Sequence, residues 1–378
     1  MADKKIRIMH IAECAGGVDV YLSMLLPLLE KKGLYQYFVC SKLFDKAKYE
    51  KMVDGVEQID MKQSFSPFSI IKNVRKVKKI IKSIKPDIIY CHSSFAGGIG
   101  RLAAKGSKIK IVYNPHGWAF NMNQKSSLSM SIKSKLYLVI EKFLARKTDR
   151  IVCISKAERQ SALEKKIAKD QKLSLITNGI DISKVRSANR FKRSDFNIPE
   201  KAFVVGMIGR LCPQKAPDTF IHSAKLIKEK IPDSFFIIVG DGELTNQTVE
   251  YARQNNIDLL VTGWVDNPYD YLQLFDISLL LSRWEGFGLA IVEYMAAEKN
   301  VVASRIDAIP TIIEDGVDGF LVEVDNPNDV CDKVMYIHNH PAEAANMRKN
   351  ALEKVIRDYD VNRVADQHVE LFQELMNS

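Results

Sequence analysis

Short apolar runs rich in β-branched residues alternate along this chain with longer stretches of helical period. The runs are 6–12, 37–40, 87–92, 109–114, 151–154 and 173–177 in the first half, and 203–208, 235–239, 259–262, 277–281, 301–304 and 320–322 in the second. Such alternation predicts parallel strands joined by right-handed helical crossovers, with helices on both faces of each sheet. Two sets of strands predict two Rossmann-like doubly wound α/β domains, with ligand in the cleft between them at the carboxyl ends of the strands. Residues 178–201 are polar, basic and poor in apolar period, which reads as an inter-domain linker. The last stretch, 339–378, is helical in pattern. The predicted division is 1–185, 186–355 and a closing helix, 356–378.

Composition narrows the class. The 378 residues are 46% hydrophobic and 27% charged, which suits a globular protein with two full cores. A net charge of +9 favours anionic partners: nucleotide phosphates, a membrane surface or nucleic acid. No recognised nucleic-acid motif accompanies the charge, so nucleic acid is not an expected partner. The opening residues carry charge straight into the first strand, without a signal-peptide pattern, and no apolar run is long enough to span a membrane. The cysteines at 14, 40, 91, 153, 212 and 331 form no Cys-x-x-Cys pair, so they read as reduced and packed, without structural zinc. The expected location is cytoplasmic.

Glycines and charged residues gather just after the strand runs. Gly16 and Gly17 lie between the first run and an apolar helix, where a ligand's negative charge meets a helix start; a plain strand-to-helix turn explains them as well. The spacing is not Gly-x-Gly-x-x-Gly, so a nicotinamide fingerprint is absent. His116, with Gly117 and Trp118, follows the fourth run and suits hydrogen-bond donation to a sugar hydroxyl or phosphate; His92 is a weaker candidate. Gly209, Arg210 and Lys215 follow the first run of the second half, and a rigid guanidinium with an ammonium suits a diphosphate. Gly240 and Gly242 flank Asp241, and Gly263 precedes Trp264, either as ligand shelves or as tight turns. After run 277–281 comes Glu285-Gly-Phe287-Gly288-Leu289, with Glu293 one helical step further. A glycine loop opening a helix is an anion site. Carboxylates on either side add acceptors for hydroxyls, which suits a sugar joined to a diphosphate.

Two cationic regions stand outside this set. Residues 69–85 have an apolar stripe of Ile70, Ile71, Val74, Val77, Ile80, Ile81 and Ile84, with Lys72, Arg75, Lys76, Lys78, Lys79, Lys82 and Lys85 opposite. Residues 125–150 interleave Lys133, Lys135, Lys142, Arg146, Lys147 and Arg150 with Leu128, Met130, Leu136 and Tyr137. Either is an ordinary solvated helix face or meets anionic lipid.

Taken in order, Gly16-Gly17, His116-Gly117, Asn178-Gly179-Ile180-Asp181, Arg210, Lys215 and the glutamates 285 and 293 resemble the family-4, group 1 glycosyltransferases of the GT-B fold, over nearly the whole chain. The resemblance implies a retaining, metal-independent transfer from a nucleotide sugar, on family habit a UDP-sugar, with no cofactor. It implies that Arg210 and Lys215 neutralise the leaving diphosphate, and that Glu293 holds the ribose while Glu285 holds the donor sugar. It further implies that amides around Phe287, Gly288 and Leu289 cradle phosphate, that Gly17 lets its helix approach the diphosphate, and that His116 lies near the transferred sugar. The final helices are expected to cross back onto the first domain. One departure stands out: where many relatives have a glycine pair, this chain has Arg305-Ile-Asp307-Ala-Ile-Pro310.

The resulting expectation is a hexosyl- or N-acetylhexosaminyltransferase acting on a lipid-linked or oligosaccharide acceptor in bacterial-type surface polysaccharide or glycolipid synthesis. It would be peripheral at the inner face of an anionic membrane. The competing readings are a transferase with a soluble acceptor and a non-catalytic nucleotide-sugar-binding protein.

Overall fold

A computed structural model describes residues 5–14, 16–61, 66–121, 128–188 and 191–378, the side chains of 128–132 excepted. The chain forms two compact units, one of residues 1–179 with 361–378, the other of residues 180–360.

The first unit is built on a parallel sheet of β1 (Arg7–Ala12), β2 (Tyr35–Cys40), β3 (Gly55–Gln58), β4 (Ile88–His92), β5 (Lys110–Asn114), β6 (Arg150–Cys153) and β7 (Leu173–Leu175). The strand order is β3-β2-β1-β4-β5-β6-β7. The sheet reverses direction of growth beside β1, and that reversal makes the switch point where doubly wound folds bind ligands. Successive strand residues face opposite sides. Ile8, Phe38, Ile88, Tyr90 and Val112 pack beneath the helices Gly17–Lys31 and Val361–Asn377, whereas Met9, Ile11, Ile89, Ile111 and Tyr113 pack on the other side with the helix Pro67–Ile84. Leu22, Leu25, Leu26 and Leu29 of the first helix are fully buried, each contributing about 1.5–3 kcal/mol.

The second unit has β8 (Phe203–Ile208), β9 (Ser234–Val239), β10 (Leu259–Val261), β11 (Ile277–Leu280), β12 (Asn300–Ser304) and β13 (Phe320–Val322), all parallel, in the order β10-β9-β8-β11-β12-β13. Its core joins Val205, Phe220, Phe236, Ile238, Leu279 and Val302 to Val330, Val334 and Met347 of the covering helices.

Four features differ from the sequence reading. β3 was not foreseen: Gly-Val-Glu-Gln has no apolar alternation, and an edge strand with every residue half-buried does not need one. The unit boundary falls at Gly179/Ile180 and not after 185. Asp181 caps the helix Ile182–Arg186, and Ile180 bridges to Asp360, so residues 180–185 are built into the second unit. The linker is accordingly no free tether, and Phe191, Phe196 and Tyr271 cluster there. At the other end the division comes at Asp360/Val361, and Val361–Asn377 packs on the helix Gly17–Lys31 of the first unit. Finally, Ile71 leaves the proposed apolar stripe for solvent and Asn73 takes a buried place in it. Residues 125–127 lie outside the described part.

Candidate active site

In the second unit the loop after β11 and the loop after β8 are tied together. Arg283 N–H donates to Gln214 O at 2.8 Å, and Gln214 Nε2 donates to Trp284 O at 3.0 Å. The Arg283 guanidinium reaches Asp218 at 2.5 Å, Asp325 at 2.8 Å and Pro213 O at 2.8 Å. This frame brings Lys215 to Glu285, with Nζ to Oε1 at 2.5 Å. Ser282 Oγ donates to the same oxygen at 2.7 Å. Asp307, in the segment that departs from the family pattern, accepts the Glu285 N–H at 2.8 Å and itself adopts φ +42°. Asp307 therefore braces Glu285.

Gly288, at φ +95°, turns the chain into the helix Leu289–Ala296, where Ile291 N–H donates to Gly288 O at 3.0 Å and the two amides before it, at the helix start, have no preceding turn to bond to. Phe287 is buried against Tyr359 and anchors the loop. Glu293 lies buried in the helix and accepts from Tyr269 Oη at 2.9 Å. Burial pushes its carboxyl above the usual range, against the Tyr269 hydrogen bond and the charges of Lys215 and Lys184. Beyond the ends of β9 and β10, Gly240 and Gly263 form a backbone bridge. Gly240 has φ +147°, and a β-carbon there would stand 2.1 Å from Gly209 O. No other residue allows that approach. Gly263 leads into Trp264, which is 85% exposed. Arg210 is not brought to this cluster: it is exposed and reaches Glu243 at 3.4 Å.

In the first unit, Gly16 and Gly17 open the helix Gly17–Lys31, with nothing within 4 Å of a β-carbon at either. His116 sits at φ +52° after β5. Its N–H donates to Asn114 Oδ1 at 2.9 Å, and Gly117 N–H donates to Glu158 Oε1 at 2.8 Å. Glu158 Oε2 accepts from Ile154 N–H at 2.6 Å, and Trp118 Nε1 donates to Glu158 O. Burial pushes the Glu158 carboxyl up to about 7, against its two amide hydrogen bonds. Glu13 is also buried and accepts from Ser93 Oγ and from Ala96 N–H. Beside these groups is a cavity of about 720 Å³, lined by Glu13, Ser93 and His116 and mostly by apolar residues such as Phe95, Leu102 and Phe143.

His116 does not stand alone. His92 and His10 continue from it through ring-nitrogen contacts of 3.1 and 3.2 Å. His368, from the last helix, meets Tyr21 Oη and Tyr90 Oη, each at 3.0 Å. Sequence reasoning ranked His92 low and did not see His10 or His368. For His10 and His92 the signal was present as polar residues inside apolar strand runs, a pattern that demands a buried partner; His368 lies in a helix, where no such signal marks it. No metal cluster results: among the described residues no group of three or more His, Cys, Asp or Glu is placed to hold an ion. The described cysteines are free, and all but half-buried Cys14 are buried.

Two units, each built on a parallel sheet with covering helices, have the architecture of the GT-B fold. Comparison with known proteins agrees. Residues 15–184 match the Glycosyltransferase Family 4 model, and residues 188–354 match that of Glycosyl transferases group 1. An Escherichia coli UDP-Gal:alpha-D-GlcNAc-diphosphoundecaprenol alpha-1,3-galactosyltransferase is 30% identical over 321 residues, 82% of this chain and 81% of that protein. The crystal structure of Anabaena HepE in complex with UDP shares the fold with a TM-score of 0.81 at 19% identity, covering 98% of this chain and all of that one. A Rickettsia africae glycosyltransferase structure does so with a TM-score of 0.81 at 21% identity, over 98% and 99% of the two chains. The chain belongs to the group 1 glycosyltransferase family, and it is a glycosyltransferase.

Proposed function

We propose that this enzyme is a retaining transferase that moves a hexosyl or N-acetylhexosaminyl unit from a UDP-sugar to a lipid-linked or glycan acceptor. The observation that carries the reading is the Lys215–Glu285 pair at the glycine-opened start of the helix Leu289–Ala296. Diphosphate bound there meets the Lys215 ammonium and the amides of Leu289 and Ala290 at the helix start, while Glu285 is left to accept donor-sugar hydroxyls. Glu293, one turn deeper beside Tyr269, takes the ribose hydroxyls. Arg210, exposed and held only by Glu243, swings onto the diphosphate when it binds. Stabilising charge on the leaving diphosphate supplies most of the rate. The bond from the anomeric carbon to phosphate oxygen breaks as the acceptor oxygen bonds to the same face. The acceptor proton passes to the departing diphosphate.

For the acceptor, the largely apolar cavity beside His116 supports a lipid-linked substrate, as does the galactosyltransferase relative whose substrate is a diphosphoundecaprenol. Among the described residues no helix is long and apolar enough to cross a membrane, so the lipid reading rests on docking. The lysines of the helix Pro67–Ile84 give that surface its charge. The test is transfer from radiolabelled UDP-glucose, UDP-galactose, UDP-N-acetylglucosamine and GDP-mannose onto polyprenyl-diphosphate-linked and free sugars. Transfer of one UDP-sugar to a lipid-linked acceptor, with the anomeric configuration kept, supports the reading. Turnover of none of these donors, or an inverted product, contradicts it.

A further inference from the structure

Polar side chains run in an oblique line across the first sheet. Gln36 on β2 lies opposite Ile8, two residues before the partner of His10. His92 on β4 lies opposite Ala12, two residues beyond His10. Asn114 on β5 faces His92, and His116 follows it by two. All these strand positions share the sheet face that carries Ile8, Phe38, Tyr90 and Val112. The line therefore climbs from the interior to the carboxyl ends of the strands, where ligand binds.

The ring contacts along the line are His10 Nδ1 to His92 Nε2 at 3.2 Å and His92 Nδ1 to His116 Nε2 at 3.1 Å. Burial, and the charge of neighbouring histidines, holds these imidazoles neutral: His10 and His116 fall to about 3, and His92 falls well below its ordinary value. A neutral imidazole has one donor nitrogen and one acceptor nitrogen. Each contact therefore fixes the next, and the line has only two states, one the reverse of the other.

Gln36 selects between them. Its Nε2 donates to Leu26 O at 2.8 Å, which identifies the other amide atom as the oxygen. Gln36 Oε1 and His10 Nε2 are both buried without a hydrogen-bond partner, and they stand on adjacent strands, on the same face of the sheet and two residues apart in register. A carbonyl oxygen only accepts. A bare His10 Nε2 would leave two buried acceptors side by side on this face with no donor, whereas a proton there makes one of the two a donor, so the proton at that end belongs on His10 Nε2. His10 Nδ1 then accepts from His92 Nε2–H, and His92 Nδ1 accepts from His116 Nε2–H.

We infer that Gln36, His10 and His92 are positioning residues that hold His116 as its Nε2–H tautomer, so that Nδ1 offers a lone pair to a hydroxyl of the bound sugar. His116 makes its protein hydrogen bonds through Nε2 and the main-chain N–H, which leaves Nδ1 for the ligand. The polarity is the reverse of the donor role that an isolated histidine suggests. The inference rests on the proposed glycosyl transfer and on His116 lying near the transferred sugar, as the family resemblance implies, but its first test does not.

That test is nitrogen-15 NMR of the full chain with labelled histidine, near neutral pH. His116 should show a protonated Nε2 and a bare Nδ1; a protonated Nδ1 overturns the inference outright. His368 is an internal control, because Val364 O holds its proton on Nδ1 at 2.7 Å. In Gln36→Leu, His116 should become a mixture of tautomers with the His368 signal unchanged. Its kcat should fall about two- to tenfold with donor KM unchanged, as the competent fraction falls. An unaltered His116 tautomer in that variant also contradicts the inference. If Gln36→Leu does not fold, the wild-type spectrum still decides. If instead His116→Ala transfers sugar normally, the placement of His116 at the sugar fails while the tautomer result stands.

Discussion

Glu158 is the carboxylate on which the His116–Gly117 turn hangs, and its titration is open to a sharp test. Burial raises its pKa from 4.5 to about 7 in the folded protein. The folded state therefore keeps a proton that the unfolded chain releases near 4.5. The stability this contributes is complete below 4.5 and is lost as pH rises through 7. Each pH unit over which one proton separates the two states is worth about 1.4 kcal/mol. One unit below the folded pKa most of one unit's worth remains, and one unit above it almost none does. Wild type should thus lose about 1.4 kcal/mol between pH 6 and pH 8 relative to Glu158→Gln, which does not titrate. Glutamine has one acceptor oxygen for the two amides of Gly117 and Ile154, so the variant also carries a constant penalty of about 1–3 kcal/mol. Urea unfolding of both proteins at both pH values, followed through Trp118, gives the difference of differences. The other titrating groups, histidines included, cancel in it. A difference that is flat, or that grows with pH, refutes the reasoning.

Buried histidines give a slope of opposite sign. His10 and His116 of the line, and His368 outside it, are depressed to about 3, 3 and 4 by burial. Their contribution is present above 6.5 and lost as pH falls, by up to about 4 kcal/mol per pH unit for the three; a urea midpoint unchanged from pH 7.5 to 5.5 contradicts this. Gly240→Ala puts a β-carbon 2.1 Å from Gly209 O at φ +147° and should cost at least about 3 kcal/mol, read as a lower melting temperature; an unchanged one rules out the close approach. Asp307→Ala removes the acceptor of the Glu285 N–H. It should cost about 1 kcal/mol of stability and raise donor KM several-fold; an unaltered KM means the brace is idle.

Much of the fold was legible because parallel strands buried on both faces read as continuous apolar runs, and because glycines mark where those runs end. Lys215 and Glu285 could each be picked out from position after a strand, but their pairing needed the structure, where those two strands lie side by side. β3 was illegible because an edge strand with half-buried residues carries no apolar signature. The place of Arg210 was illegible for another reason. Its side chain is 69% exposed, and position after a strand does not say which way a long flexible side chain points. Gln36, His10, His92 and His116 lie on four different segments, so only the register of β1, β2, β4 and β5 reveals them as one line. Arg283 reads as an ordinary loop arginine until Asp218 and Asp325 are seen beside it.

The central claim is that Lys215 neutralises a nucleotide's diphosphate while Glu293 holds its ribose. Calorimetric titration of the wild type, Lys215→Ala and Glu293→Gln with UDP and with uridine tests it most directly. Lys215→Ala should bind UDP about 100-fold more weakly and uridine as the wild type does, whereas Glu293→Gln should weaken both. Wild-type affinity of Lys215→Ala for UDP would contradict the account.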